Sequence, residues 1–128
     1  MKHYQAGFTL IELVIVIAII GILATVLVPN LLQVRTKAND VAAESVARQV
    51  LNAMAATEVG NITGTAPSCA YTSPTVTVIA GTESARVNAS SPITNVSCDG
   101  AATTGTQYSV IVNYSGGSQA SITRTTNK

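Results

Sequence analysis

Gly7-Phe8-Thr9-Leu10-Ile11-Glu12-Leu13 opens a run that stays apolar to Val28, and Glu12 is the only charge inside it. At about 1.5 Å per residue, a helix over Phe8–Val28 reaches about 31 Å, enough to cross a hydrocarbon core of about 30 Å. A carboxylate at the centre of a membrane helix costs about 2.5–3.5 kcal/mol on insertion scales, and acids in such helices are functional candidates by default. Glu12 lies nearer the end than the centre, which reduces that cost without removing it.

A cleavable secretory signal fits this stretch poorly. Lys2 and His3 make a weak basic start, the apolar run exceeds the usual h-region, and no A-x-A-like site closes it, since Ala24 follows Ile22 and the exit is Val28-Pro29-Asn30. A plain membrane anchor leaves Glu12 without a role. Flanking charge does not orient such an anchor either, because Lys2 on one side faces Arg35 and Lys37 on the other.

Taken together, Lys2, Gly7-Phe8-Thr9-Leu10-Ile11-Glu12-Leu13 and the apolar residues Val14 to Ala24 resemble the N-terminus of a type IV prepilin, and the likeness extends past Pro29. The resemblance implies that a membrane prepilin peptidase cuts after Gly7 and N-methylates the new terminus, Phe8. Residues 1–7 would then be a leader left on the cytoplasmic side, and Gly7 a residue small enough to enter a protease cleft. The bare sequence equally permits Gly7 to mark a turn before a helix. Glu12 stands at i+4 from Phe8, on the same helix face. It is the residue the resemblance assigns to assembly, pairing with the Phe8 amine of its own or a neighbouring subunit and so setting axial register. In a low-dielectric bundle such pairing relieves two costly unpaired charges. Read by itself, Glu12 could also snorkel to headgroups or favour the positive end of the helix dipole. Pro29 removes a backbone donor and is expected to kink or loosen the helix around Ala24–Val28. By resemblance, the segment from Gly21 to Pro29 can lose helical order in assembled pili, while Gly21 is equally suited to close helix packing.

Past Pro29 the pattern becomes amphipathic, with Leu31, Val34, Ala38, Val41, Ala42, Val46, Val50 and Ala53 at helical spacing and Glu44–Arg48 as a favourable i,i+4 pair. One helix is expected over residues 8–57, with Gly60 as its stop. It divides into an apolar segment 8–29, for a membrane or a filament core, and an amphipathic segment 30–60 that carries a head over 61–128. The fold class is α+β, with an antiparallel sheet of three or four strands packed on the second half of the helix. Thr75–Ala80 and Ala85–Asn88 read as strands, and Gln107–Tyr114 with Ser118–Thr125 as a hairpin turned by Gly116-Gly117. The stretches 61–74 and 89–106 read as loops from their Ser, Thr, Asn, Gly and Pro.

So small a head has a thin core. On the exported side of a membrane, Cys69 and Cys98 favour a disulfide, which a chain-entropy estimate values at about 3.6 kcal/mol for the loop they close. The alternative is two buried free thiols. Many pilins close their disulfide loop near the C-terminus. Here the predicted hairpin follows Cys98, so the Cys69–Cys98 loop is expected between helix and sheet.

The rest of the composition excludes more than it suggests. The one histidine, His3, lies in the leader, and there is no tryptophan. No catalytic pair or metal set can be built from these residues, no cofactor is implied, and Glu83 and Asp99 are too sparse for an acid–base or calcium site. The net charge of +1 gives no electrostatic case for nucleic acid. A patch of Arg86, Arg124 and Lys128 is the only candidate, and nucleic acid stays open as a partner. The composition makes catalysis improbable, and the prepilin resemblance implies a structural subunit, not an enzyme: held in the inner membrane before assembly, then polymerised as a homo-oligomer into an extracellular pilus by dedicated machinery. Motility, adhesion and DNA uptake remain open as its use. A pseudopilin of type II secretion or a minor pilin shares the same N-terminus, and a membrane-anchored binding protein or enzyme is the reading from another class.

Overall fold

The structure, a computed structural model, describes residues 7–102 and 106–128. The leader residues Lys2 and His3, and residues 103–105 of the loop expected at 89–106, lie outside the described residues. One helix, α1 (Leu10–Gly60), is followed by β1 (Ser68–Thr72), β2 (Thr75–Ala80), β3 (Glu83–Asn88), β4 (Ile93–Ala102), β5 (Gln107–Tyr114) and β6 (Ser121–Asn127). The chain divides into two compact units, Met1–Val34 and Arg35–Lys128. Helix α1 contributes to both, and it is unbroken through Pro29, so the loosening expected near Ala24–Val28 is not a break in the helix. Gly60 ends the helix, three residues beyond the expected Thr57.

In the second unit, α1 buries Ala43, Val46, Ala47, Val50, Leu51, Met54 and Thr57. That stripe is rotated from the expected one: Val46 and Val50 are in it, while Val41 is exposed. Alanines at 43 and 47 leave no bulk between helix and sheet, so the backbone can approach closely. Facing them are Val76, Val78, Val87, Val96, Tyr108, Val110, Val112 and Tyr114, which form one core cluster with the helix. Burying each of these valines is worth about 1.5–3 kcal/mol. The one buried polar side chain among the described residues, Thr57, donates to the carbonyls of Ala53 and Met54 at 3.0 Å.

The sheet is antiparallel with strand order β3-β2-β1-β4-β5-β6. It has six strands where three or four are expected, because two strands fall in stretches read as loops. Strand β1 is Ser-Cys-Ala-Tyr-Thr, without a fully buried residue to mark its face. Strand β4 spaces Ile93 and Val96 three apart, yet both are buried, and a register shift between Ile93 and Asn95 breaks the strict alternation. Strand β6 begins at Ser121 and not Ser118, because the Ser118 amide donates to Asp40 Oδ1 at 2.8 Å instead of joining a ladder.

The sheet is built from two meanders, β1-β2-β3 and β4-β5-β6. Within each, strands pair along most of their length, whereas β1 and β4 share the single register pair Ser68↔Asp99. The Cys69–Cys98 disulfide lies at this seam, with Cα atoms 5.5 Å apart. The loop it closes is therefore a meander of the sheet, not a segment between helix and sheet as expected. Gly100 sits beside it so close to the Pro67 main chain that a Cβ would overlap it.

Three helix carboxylates tie down the last hairpin. Asp40 Oδ1 accepts from Tyr114 OH and the Ser118 amide, both at 2.8 Å, while Asn39 Nδ2 donates to the Gly116 carbonyl at 2.9 Å. Glu44 accepts from Arg124 Nε at 2.7 Å and Arg48 Nε at 3.0 Å. Glu58 accepts from Tyr108 OH and from Lys128 Nζ at 3.1 Å, with the ammonium 5.3 Å from the Tyr108 ring centre. These donors hold all three carboxyls below their ordinary range: Ser118 first for Asp40, Arg124 for Glu44 and Tyr108 for Glu58. Burial and then Glu58 push the Tyr108 hydroxyl up to about 12.

Candidate assembly segment

Helix α1 starts where Thr9 caps it. Thr9 N and Thr9 Oγ1 both donate to Glu12 Oε2 at 2.8 Å, and Glu12 N donates back to Thr9 Oγ1 at 3.3 Å. This reciprocal arrangement is a capping box, which satisfies two of the amides a helix start leaves unpaired. Glu12 therefore has a local partner that a reading from charge alone overlooks, and the T-x-x-E spacing of Thr9 and Glu12 is its signal. The box engages one carboxylate oxygen. Among the described residues, nothing donates to Oε1.

Gly7 and Phe8 precede the helix, outside regular secondary structure, and both are exposed. From Leu10 to Val34 every Leu, Ile and Val is exposed. A helix hydrophobic all round has no water-facing side, so this surface requires lipid or other helices. By length and composition this part of α1 can cross a membrane. Nothing stands within 4 Å of where a Cβ on Gly21 would lie, so that position is open to a neighbour.

No chemistry is assembled around these residues. No group of His, Cys, Asp or Glu able to hold a metal ion occurs among the described residues. The cations of the candidate nucleic-acid patch are not brought together: Arg86 is on edge strand β3, while Arg124 and Lys128 are on or beside β6 at the opposite edge and are ion-paired. The structure also adds Asp40, Glu58, Tyr108 and Tyr114 to the residues that matter, with no motif in the sequence to announce them.

Residues 2–28 match the family described as the prokaryotic N-terminal methylation motif. Over this segment the chain is similar to type IV pilins and to a type II secretion core protein. The relatives it matches include the type IV wide pilus major component PilA4 of Thermus thermophilus, 76% identical over 34 residues, which are 27% of this chain and 26% of that protein. The type IV major fimbrial protein FimA of Dichelobacter nodosus is 67% identical over 30 residues, covering 23% of this chain and 19% of FimA. The type II secretion system core protein G of Aeromonas hydrophila is 53% identical over 38 residues, or 30% of this chain and 27% of that protein. The matched stretch thus spans about a quarter of the relatives' own length. No solved structure matches the chain.

Proposed function

We propose that the chain is the structural subunit of a type IV pilus. It inserts in the inner membrane through residues 8–29, is cut after Gly7 and N-methylated on Phe8 by a prepilin peptidase, and is polymerised by the pilus assembly machinery into an extracellular homopolymer. The observation that carries this reading is the all-round apolar first half of α1, interrupted only by Glu12. That surface stays out of water in lipid and again in a bundle of identical helices, so transfer between the two exposes none of it.

Glu12 gives the transfer its register. The capping box leaves Oε1 for a donor from outside the chain, and a Phe8 amine released by cleavage is such a donor. Pairing within a dry bundle stabilises both charges, whereas a misregistered subunit strands an ion at a cost of about 3–5 kcal/mol. Gly21 and Pro29 supply the segment's capacity to bend or unwind, since Pro29 leaves one turn of the ladder without a donor.

The match to a type II secretion core protein supports a second reading, a pseudopilin whose polymer stays within the cell envelope. Mass spectrometry of the N-terminal peptide from filaments sheared off intact cells separates the two. A peptide beginning at N-methylated Phe8, abundant in the sheared fraction, is the expected result. The same peptide confined to membranes supports the pseudopilin, and an intact Met1–Gly7 leader on all mature material overturns both.

A further inference from the structure

Of the charged side chains of the second unit, Glu44, Arg48, Arg124, Glu58 and Lys128 are spent on one another, and Asp40 is held by the Tyr114 hydroxyl and the Ser118 amide. Among the described residues, Arg35, Lys37, Arg86, Glu83 and Asp99 enter no ion pair, and all are exposed. Among the described residues, the Asp99 carboxylate accepts the Ala101 amide, at 2.8 Å.

Four of these five are sorted by sign to opposite ends of the unit. Arg35 and Lys37 stand at its helical start, just ahead of Asp40, which binds Tyr114 at the end of β5. Glu83 opens β3 beside the last residue of α1, where a Cβ on Gly60 would lie 3.1 Å from Glu83 Cγ. Asp99 pairs with Ser109, the neighbour of Tyr108, whose hydroxyl reaches Glu58 near the same helix end. The helix rises about 35 Å from Lys37 to Gly60 at 1.5 Å per residue. Arg86 lies partway along β3.

We infer that these two ends meet between copies of this chain, with Arg35 and Lys37 of one copy facing Glu83 and Asp99 of the next. The inference rests on the filament reading above. A surface with free cations at one end and free acids at the other is complementary to itself when copies are stacked with the same polarity. A two-fold arrangement through either end would set like charges together. The contact is therefore head-to-tail, and with copies stacked along one axis it propagates. Exposed pairs add little cohesion individually. Their part is to select polarity and axial step, while the apolar half-helices hold the polymer together.

Charge reversal in the full chain, in cells that assemble it, tests this. Three variants are compared with wild type: Arg35→Glu with Lys37→Glu, Glu83→Lys with Asp99→Lys, and all four together. The readouts are chain in the sheared fraction and chain in the membrane pool. Each reversed end is expected to lower the sheared yield about tenfold or more, given the cost of like charges in contact, with the pool unchanged. The fourfold variant is expected to return towards wild type. The Glu83/Asp99 reversal leaves the cations nearest the apolar segment untouched, so its effect does not depend on membrane insertion. Reversals without effect, or a fourfold variant no better than its parents, would overturn the contact. Wild-type chain absent from the sheared fraction despite a full membrane pool would remove the filament reading itself, and this contact with it.

Discussion

The two halves of α1 are one continuous helix, yet they meet opposite demands. The first half exposes every one of its large aliphatic side chains, and its one acid caps its own start. The second half buries a single stripe against the sheet and uses its acids to hold a hairpin. The difference teaches where each half is completed. The second half has its partner within the chain, so its fold is self-sufficient. The first half has no such cover among the described residues and requires lipid or other helices. Intrinsic helix propensity does not distinguish them; the distribution of apolar surface does.

Substitutions that act on one half and spare the other test this contrast. The largest effect is expected from Glu12→Leu, which makes the first half uniformly apolar. On the proposed pairing of Glu12 with the Phe8 amine, membrane insertion should persist while sheared filaments fall about a hundredfold or more. Glu12→Gln sharpens the point by keeping a cap acceptor without the charge. Filament yield as high as wild type would mean that capping, not pairing, is the residue's role. Next comes Met54→Ala, expected to cost the head about 2–5 kcal/mol in denaturant unfolding of the full chain in detergent. Ile15→Ala should leave that midpoint in place, and a comparable loss from Ile15→Ala would refute the independence of the halves. Replacing Cys69 and Cys98 together by Ser should lower head stability by about 3.6 kcal/mol, read from the same curves.

A smaller effect follows from pH. The carboxyls of Asp40, Glu44 and Glu58 are lowered in the folded state, so their contribution is present above the unfolded values of 3.8 and 4.5 and is lost as pH falls through the folded ones. Head melting should weaken below about pH 4.5 and Asp40→Asn should flatten that limb. Tyr108 works in the other direction. Its hydroxyl is raised from 10.0 to about 12, so stability is complete below pH 10 and declines as pH rises towards 12. The least change is expected for Arg48→Ala, which removes an exposed i,i+4 partner worth about 0.3–0.5 kcal/mol. A loss above about 1 kcal/mol would show the Glu44 cluster to be cooperative.

What could be read from the sequence follows the same division. The first half is legible because lipid-scale apolarity is a property of composition alone, and the Thr9–Glu12 cap is local in the chain. Strands β2 and β5 are legible because Val76 with Val78, and Val110 with Val112, alternate without interruption. Strand β4 is not, since its irregular register puts residues of odd spacing into one core, and β1 is not, since it has no fully buried residue. The start of the hairpin's second strand, at Ser121 in place of Ser118, is set by an interaction between residues 78 apart, Ser118 and Asp40, which no local pattern encodes. Glu44 and Arg48 are visible in the sequence as an i,i+4 pair, whereas Arg124, their third member, is 80 residues from Glu44.

The seam between β1 and β4 has a consequence for how such a head can vary. In a continuous sheet, adding a residue to one strand shifts register across every ladder beyond it. Here the two meanders share one rung, so a change in register on one side stops at Ser68↔Asp99. Either hairpin set can therefore be lengthened, shortened or replaced without re-indexing the other, provided the bridging cysteines and the Gly100–Pro67 approach are kept. In the vocabulary of construction, the head is two interchangeable panels on a common post, bolted at one corner.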